Sequence, residues 1–130
     1  MECVVREFSE AALRVKRARF DAVEIHAAHG YLLNMFFSPL TNLQIEEYGG
    51  SLDGRLLLLL EVVAAVRGSV GEDYPVAVRL GTLDNAPGGT TIEDAVAAAV
   101  ALERESVDLI DLTRPTPSAR PSDPRFARSW

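Results

Sequence analysis

Apolar positions recur along the first 112 residues at two alternating periods. Phe8, Ala11, Ala12 and Val15 return at helical spacing with charges between them, which predicts an amphipathic helix ending near Arg19. The next segment is short and partly β-branched, alternates apolar with polar positions, and reads as a strand, Val23–His26. Gly30 predicts a turn, followed by a loop rich in aromatics and breakers through Pro39, Asn42 and Gly49-Gly50. Leu56, Leu59, Leu60, Val63 and Val66 make a second helical stripe, expected to close at Gly68 and Gly71. Pro75 precedes a second strand, Val76–Leu80. Thr91 is an expected N-cap with Asp94 three positions later, opening an alanine-rich helix to about Arg104. Val107–Leu112 is the third strand.

This α-β-α-β-α-β order carries no hairpin signal, and strands separated by helices imply parallel pairing with right-handed crossovers. The expectation is an α/β fold with three parallel strands in sequential order. A complete (β/α)8 barrel takes ~250 residues, so this chain of 130 residues holds only a partial TIM barrel, about half of one. Residues 1–113 make up that unit. Residues 114–130 break the pattern: they hold four of the seven prolines, four arginines and a single acid, and predict an irregular Pro/Arg-rich tail.

Composition mainly excludes. With 48% apolar and 25% charged residues the chain is neither collagenous nor wholly disordered. Its 19 acids against 13 bases argue against nucleic acid as a partner. The longest apolar stretch, Leu56 to Val66, is interrupted by Glu61 and falls short of the ~20 residues of a membrane helix. The opening MECVVREFSE lacks the apolar core of a signal peptide, and the single Cys3 cannot form an internal disulfide. A cytoplasmic, reducing location is the expectation.

Alternation along the strands places Glu24 and His26 on one face and Val23 and Ile25 on the other. Ala77 and Arg79, then Asp111 and Thr113, repeat that polar face in the later strands. Ligands bind at the carboxyl ends of parallel strands. The purely structural alternative is that Glu24, Arg79 and Asp111 neutralise one another. His26, His29 and Tyr31 lie within six residues, and two imidazoles can donate to one acceptor oxygen while the phenol acts as an acid. No metal site is expected there. The helical zinc-protease motif needs histidines four apart with a glutamate between, whereas these are three apart with alanines between.

VEIHAAHGYLLNMFFSPLTN, then EEYGGSL with Arg55, then PVAVRLG with Arg79, resemble the old yellow enzyme family of FMN-dependent ene-reductases. The branch containing NADH:flavin oxidoreductases and 2,4-dienoyl-CoA reductases is the most similar. The likeness runs from about Val4 to Leu112, the third helix through the sixth strand of that family's barrel. It implies FMN as cofactor, NAD(P)H as electron donor, and an α,β-unsaturated carbonyl (enone-type) substrate. By the same resemblance His26 and His29 bind the substrate carbonyl, Tyr31 protonates the α-carbon, and Arg79 lies beside the flavin, with His26 also near the cofactor. Tyr31 is then expected across a gap that admits a flat substrate.

The sequence departs from the family pattern at Asn34-Met35, Leu43-Gln44, Leu57 and Thr113-Arg114-Pro115. The family's first strands and its last two, which grip the flavin phosphate, have no counterpart in this sequence. A fragment inactive by itself is the first expectation, completed by another copy or by a complementing barrel half. A non-catalytic remnant serving as an assembly module is the second, and a small hydrolase or metal protein built on the histidines the third. Leu57 and Leu58 are expected to add exposed apolar surface.

Overall fold

The computed structural model describes residues 1–114; the expected tail, apart from Arg114, lies outside the described residues. Seven elements run in order: α1 (Glu2–Arg17), β1 (Val23–Ala27), α2 (Leu32–Phe37), α3 (Leu52–Val70), β2 (Val76–Gly81), α4 (Ile92–Arg104) and β3 (Leu109–Thr113). The three strands form one parallel sheet in sequential order. Among the described residues no helix is long and apolar enough to cross a membrane.

Helices cover one face of the sheet. Ile25, Val76, Val78 and Leu80 point into that layer and meet Leu56, Leu59, Val62, Val63 and Val66 of α3 in a single apolar core. α1 lies against α3, burying Ala12 and packing Val5 and Phe8 beside it. Because α3 touches both the sheet and α1, its buried surface is wider than one stripe. Leu58 is fully buried and Leu57 half-buried, so Leu58 adds no exposed surface, contrary to the sequence expectation.

Element ends follow local chemistry. α1 stops at Arg17 because Arg19 has turned left-handed (φ 65°). Ser51 caps α3 by accepting from Gly54 N–H at 3.1 Å. Gly68 lies inside α3, and the helix closes at Gly71 alone, whose φ of 84° suits a residue without Cβ. Thr91 and Asp94 form the expected capping box. β3 starts two residues later than its sequence pattern suggests. Val107 N–H is held by the Leu102 carbonyl (3.2 Å) in the last turn of α4, and the Asp108 carboxylate is spent on Val76 N–H (2.8 Å).

α2 arises where the sequence predicts only loop. Six residues are too few to show a period, and the helix is stabilised by burying Leu33 and Phe37 one turn apart. The loop after it is tied by side chains to backbone: Asn42 Nδ2 donates to the carbonyls of Phe36 (2.8 Å) and Tyr48 (2.6 Å), and Arg55 donates to those of Phe37 (3.0 Å) and Gly50 (3.1 Å).

Arg67 ties the amino-terminal edge of the sheet. Its guanidinium donates to the carbonyls of Gly71 (3.1 Å), Glu72 (3.3 Å), Tyr74 (2.6 Å) and Ser106 (2.6 Å), and to the Asp108 carboxylate (2.6 Å). Charge-assisted bonds of this kind contribute more than neutral ones, and losing the cation strands its acceptors. Arg67→Met is expected to lower the unfolding free energy by about 2 to 4 kcal/mol. Arg6→Met, which removes only an exposed ion pair with Glu10, should change it by less than about 1 kcal/mol. Urea denaturation of both variants checks this.

Val76 N–H and Arg67 together hold the Asp108 carboxyl below its ordinary pKa. A depressed carboxylate stabilises the fold above its unfolded pKa of ~3.9 and loses that contribution as pH falls through the lower folded value. Acid titration of the urea midpoint should therefore be shallower in Asp108→Asn than in the parent chain below about pH 4.

Candidate functional site

Parallel register sets the site. His26 of β1 pairs with Arg79 of β2, and Arg79 pairs with Asp111 of β3, so the three lie in one row across the sheet. Each alternates with residues directed at the helix layer, which puts all three on the opposite, uncovered face. The next row toward the carboxyl ends pairs Gly81 with Thr113.

Beyond β1 the chain turns sharply. His29 (φ 59°) and Gly30 (φ 75°) are both left-handed, Tyr31 N–H donates to the Ala28 carbonyl (3.2 Å), and Gly30 N–H donates to Asn34 Oδ1 (2.8 Å). This turn brings the His29 ring back over the sheet, 5.1 Å from that of His26 between centroids and tilted by 51°. Gly81 admits the turn: a Cβ there would lie 3.2 Å from Asn34 Nδ2 and 3.5 Å from Ala28 Cα. Asn34 emerges as a positioning residue whose role only the fold reveals.

Tyr31 departs from expectation in one respect. Its ring sits 5.2 Å from His26, tilted by 57°, so no gap for a flat substrate separates the two. The phenol is 64% exposed, and the imidazole is the aromatic surface it meets.

Arg79 Nε lies 3.2 Å from Asp111 Oδ2, forming the charge pair that the structural alternative foresaw, although the reported pair does not include Glu24. The N–H is not aimed at that oxygen, however, and this buried donor has no hydrogen-bond acceptor. The loops at this end are also tied together: Ser38 Oγ donates to Asp84 Oδ2 (2.6 Å), which also accepts Thr90 N–H (2.8 Å). Among the described residues no three His, Cys, Asp or Glu side chains gather as metal ligands.

A parallel β/α segment with a histidine pair and a cation at the carboxyl ends of its strands has its polar groups where β/α barrels bind ligands. The chain belongs to the NADH:flavin oxidoreductase / NADH oxidase family, whose pattern it matches over residues 1–117. It is 36% identical to an NADH oxidase of Thermoanaerobacter brockii over 133 aligned residues, covering all of this chain and 20% of that protein. Its fold matches a 2-naphthoyl-CoA reductase in complex with 2-naphthoyl-CoA with a TM-score of 0.87 at 33% identity, covering 93% of this chain and 18% of the other. An old yellow enzyme homologue from Zymomonas mobilis matches with a TM-score of 0.77 at 29% identity, over 87% of this chain and 32% of that one. The chain thus spans 16% to 33% of the length of curated relatives it matches, and its three-stranded sheet is part of a TIM barrel.

FMN and NAD(P)H are the family's cofactors. The residues present fit one edge of FMN. Arg79 offers an unsatisfied buried N–H on the inner face, suited to a flavin ring acceptor.

Burial, then the neighbouring His29 and Arg79, lower the pKa of His26 from 6.5, with Glu24 opposing them. The sign follows: a histidine easier to protonate when unfolded contributes full stability above its unfolded pKa and loses it as pH falls below. By NMR titration His26 should have a midpoint below 6.5. Arg79→Met should raise that midpoint and Glu24→Gln should lower it.

Proposed function

We propose that this chain supplies the substrate-polarising part of an FMN-dependent, NAD(P)H-driven reductase of activated C=C bonds in α,β-unsaturated carbonyl compounds. The convergence of the His26 and His29 rings at 5.1 Å, beside the strand that carries Arg79, carries this reading. A carbonyl oxygen bound there accepts from both imidazoles. Those bonds strengthen as negative charge grows on the oxygen, so they favour the transition state over the bound substrate. Neutral imidazole is already a donor, and the lowered pKa of His26 keeps it neutral at pH 7. FMN, when bound, would supply hydride chemistry with electrons from NAD(P)H. Arg79 would hold the cofactor through its free N–H, and Tyr31, swung away from His26, would hold the proton due at the α-carbon.

In this reading residues 1–113 are one working unit, and the chain alone is inactive. Leu109 on the inner face and Leu112 on the outer are 57% and 62% exposed, and Ile92, Val96 and Val100 form an exposed stripe one turn apart along α4. A complementing barrel half covers these surfaces, with another copy of the chain as substitute when that half is missing. A cytoplasmic setting agrees with the free, exposed thiol of Cys3.

Titration with FMN should give weak binding by the isolated chain. Adding the remaining strands of a related NADH:flavin oxidoreductase should tighten it and yield a long-wavelength charge-transfer band with phenol. His26→Ala or His29→Ala in that assembly should weaken phenol binding about 10- to 100-fold with FMN retained. Sub-micromolar FMN binding by the chain alone contradicts the fragment reading, and an undiminished band in both variants contradicts the histidine roles. Light scattering after size exclusion should show self-association of the isolated chain; a cooperative, well-folded monomer contradicts that part.

A further inference from the structure

We infer that Thr113 is a positioning residue for His29: its hydroxyl donates to the ring's Nε2 and thereby fixes the ring proton on Nδ1. The inference rests on the histidine pair acting as donors to a substrate oxygen, and it deepens that reading by naming which nitrogen of His29 does so.

His29 Nε2 lies 2.9 Å from Thr113 Oγ1, a contact spanning 84 residues. Both ends of it are held. The Thr113 carbonyl accepts from Thr82 N–H (3.1 Å) and Thr82 Oγ1 (3.2 Å), which pins the end of β3. His29 sits in the left-handed turn fixed by Tyr31 N–H on Ala28 and Gly30 N–H on Asn34. Between them Gly81, paired with Thr113, leaves room for Asn34 and Ala28 to pack close to β2, and Asn34 in turn holds the turn that carries His29. Thr113 is also where the sequence departs from the family's serine- and glycine-rich turn.

The direction of the bond decides what His29 can do. A neutral imidazole carries one N–H, and the other nitrogen only accepts. If Nε2 kept the proton and donated to Thr113, Nδ1 would hold only a lone pair and could not donate to a carbonyl oxygen. With Thr113 donating instead, Nδ1–H is available to the ligand. His29 Nε2 is the only hydrogen-bond partner of the Thr113 hydroxyl among the described residues, so the hydroxyl proton has no other protein acceptor to go to.

The test needs neither FMN nor turnover, so its failure is separable from failure of the reductase reading. The chain has two histidines, and long-range nitrogen–proton NMR of the labelled imidazoles at about pH 8, above their ordinary range, reports the tautomer of each; His26→Gln assigns them. His29 should be mainly Nδ1–H in the parent chain and in Thr113→Ser. In Thr113→Val the ratio of Nδ1–H to Nε2–H should fall about fivefold, as for loss of one ordinary hydrogen bond. A mainly Nε2–H His29 in the parent chain overturns the inference, as does an unmoved ratio in a folded Thr113→Val. Should that variant unfold, the parent and the serine variant decide between the same two outcomes.

Discussion

Val76 enters the sheet with both of its backbone groups taken by one residue. Its N–H goes to the Asp108 carboxylate, and its carbonyl accepts Asp108 N–H at 3.0 Å. Arg67 then holds the same carboxylate, while Val23 N–H on the Pro75 carbonyl (3.1 Å) starts the neighbouring ladder. This clamp sets the register of three strands at their common beginning. Side chains alternate with a period of two, so a slip by one residue would turn Arg79 into the helix layer and bring Val78 and Leu80 out of it. Everything at the far end of the sheet inherits that choice.

The two ends of the sheet accordingly do different work. At the amino-terminal end, most polar groups are consumed in mutual satisfaction: the two terminal nitrogens of Arg67 serve four carbonyls and a carboxylate, leaving its Nε without an acceptor, and Tyr74 donates to the Phe20 carbonyl at 2.7 Å. At the carboxyl end, donors are left over. Arg79 Nε has no acceptor, the His26 ring meets other rings, and the Tyr31 phenol faces solvent. Surplus hydrogen-bonding capacity on a pinned framework is what a binding site requires, and in barrels it gathers at this end.

The strands were legible because each carries short, β-branched alternation between helical stretches, most sharply in β2 between Pro75 and Gly81, and the polar face that alternation implies is the one observed. The capping box of α4 was legible for the same local reason. What sequence could not display were consequences of contact at a distance. α2 is too short for a period, and it exists because Leu33 and Phe37 find the core. Leu58 is buried because α3 packs against other helices as well as the sheet, a consequence its own pattern does not display. Thr113 takes its role from a register that brings it within hydrogen-bond reach of His29, 84 residues away, and Asn34 from a left-handed bend that turns Gly30 N–H onto it beside Gly81. The motif around His26 was recognisable as a string, whereas the support beneath it was not.

Charge on the inner face is only loosely paired. Arg79 and Asp111 are about equally exposed, at 38% and 40%, so their attraction is screened and the pair is easily reorganised. It balances the row beside His26 without locking it: the misdirected Nε–H shows that the guanidinium is near the carboxylate yet not spent on it. An anion reaching this face therefore meets a cation that can reorient at little cost, beside a histidine kept neutral by burial and by that same cation. A buried, perfectly paired arginine would have required desolvation and bond breaking before it could help. Loose pairing at the carboxyl end and tight pairing at the amino end are thus two settings of the same interaction, Arg with Asp, on one sheet.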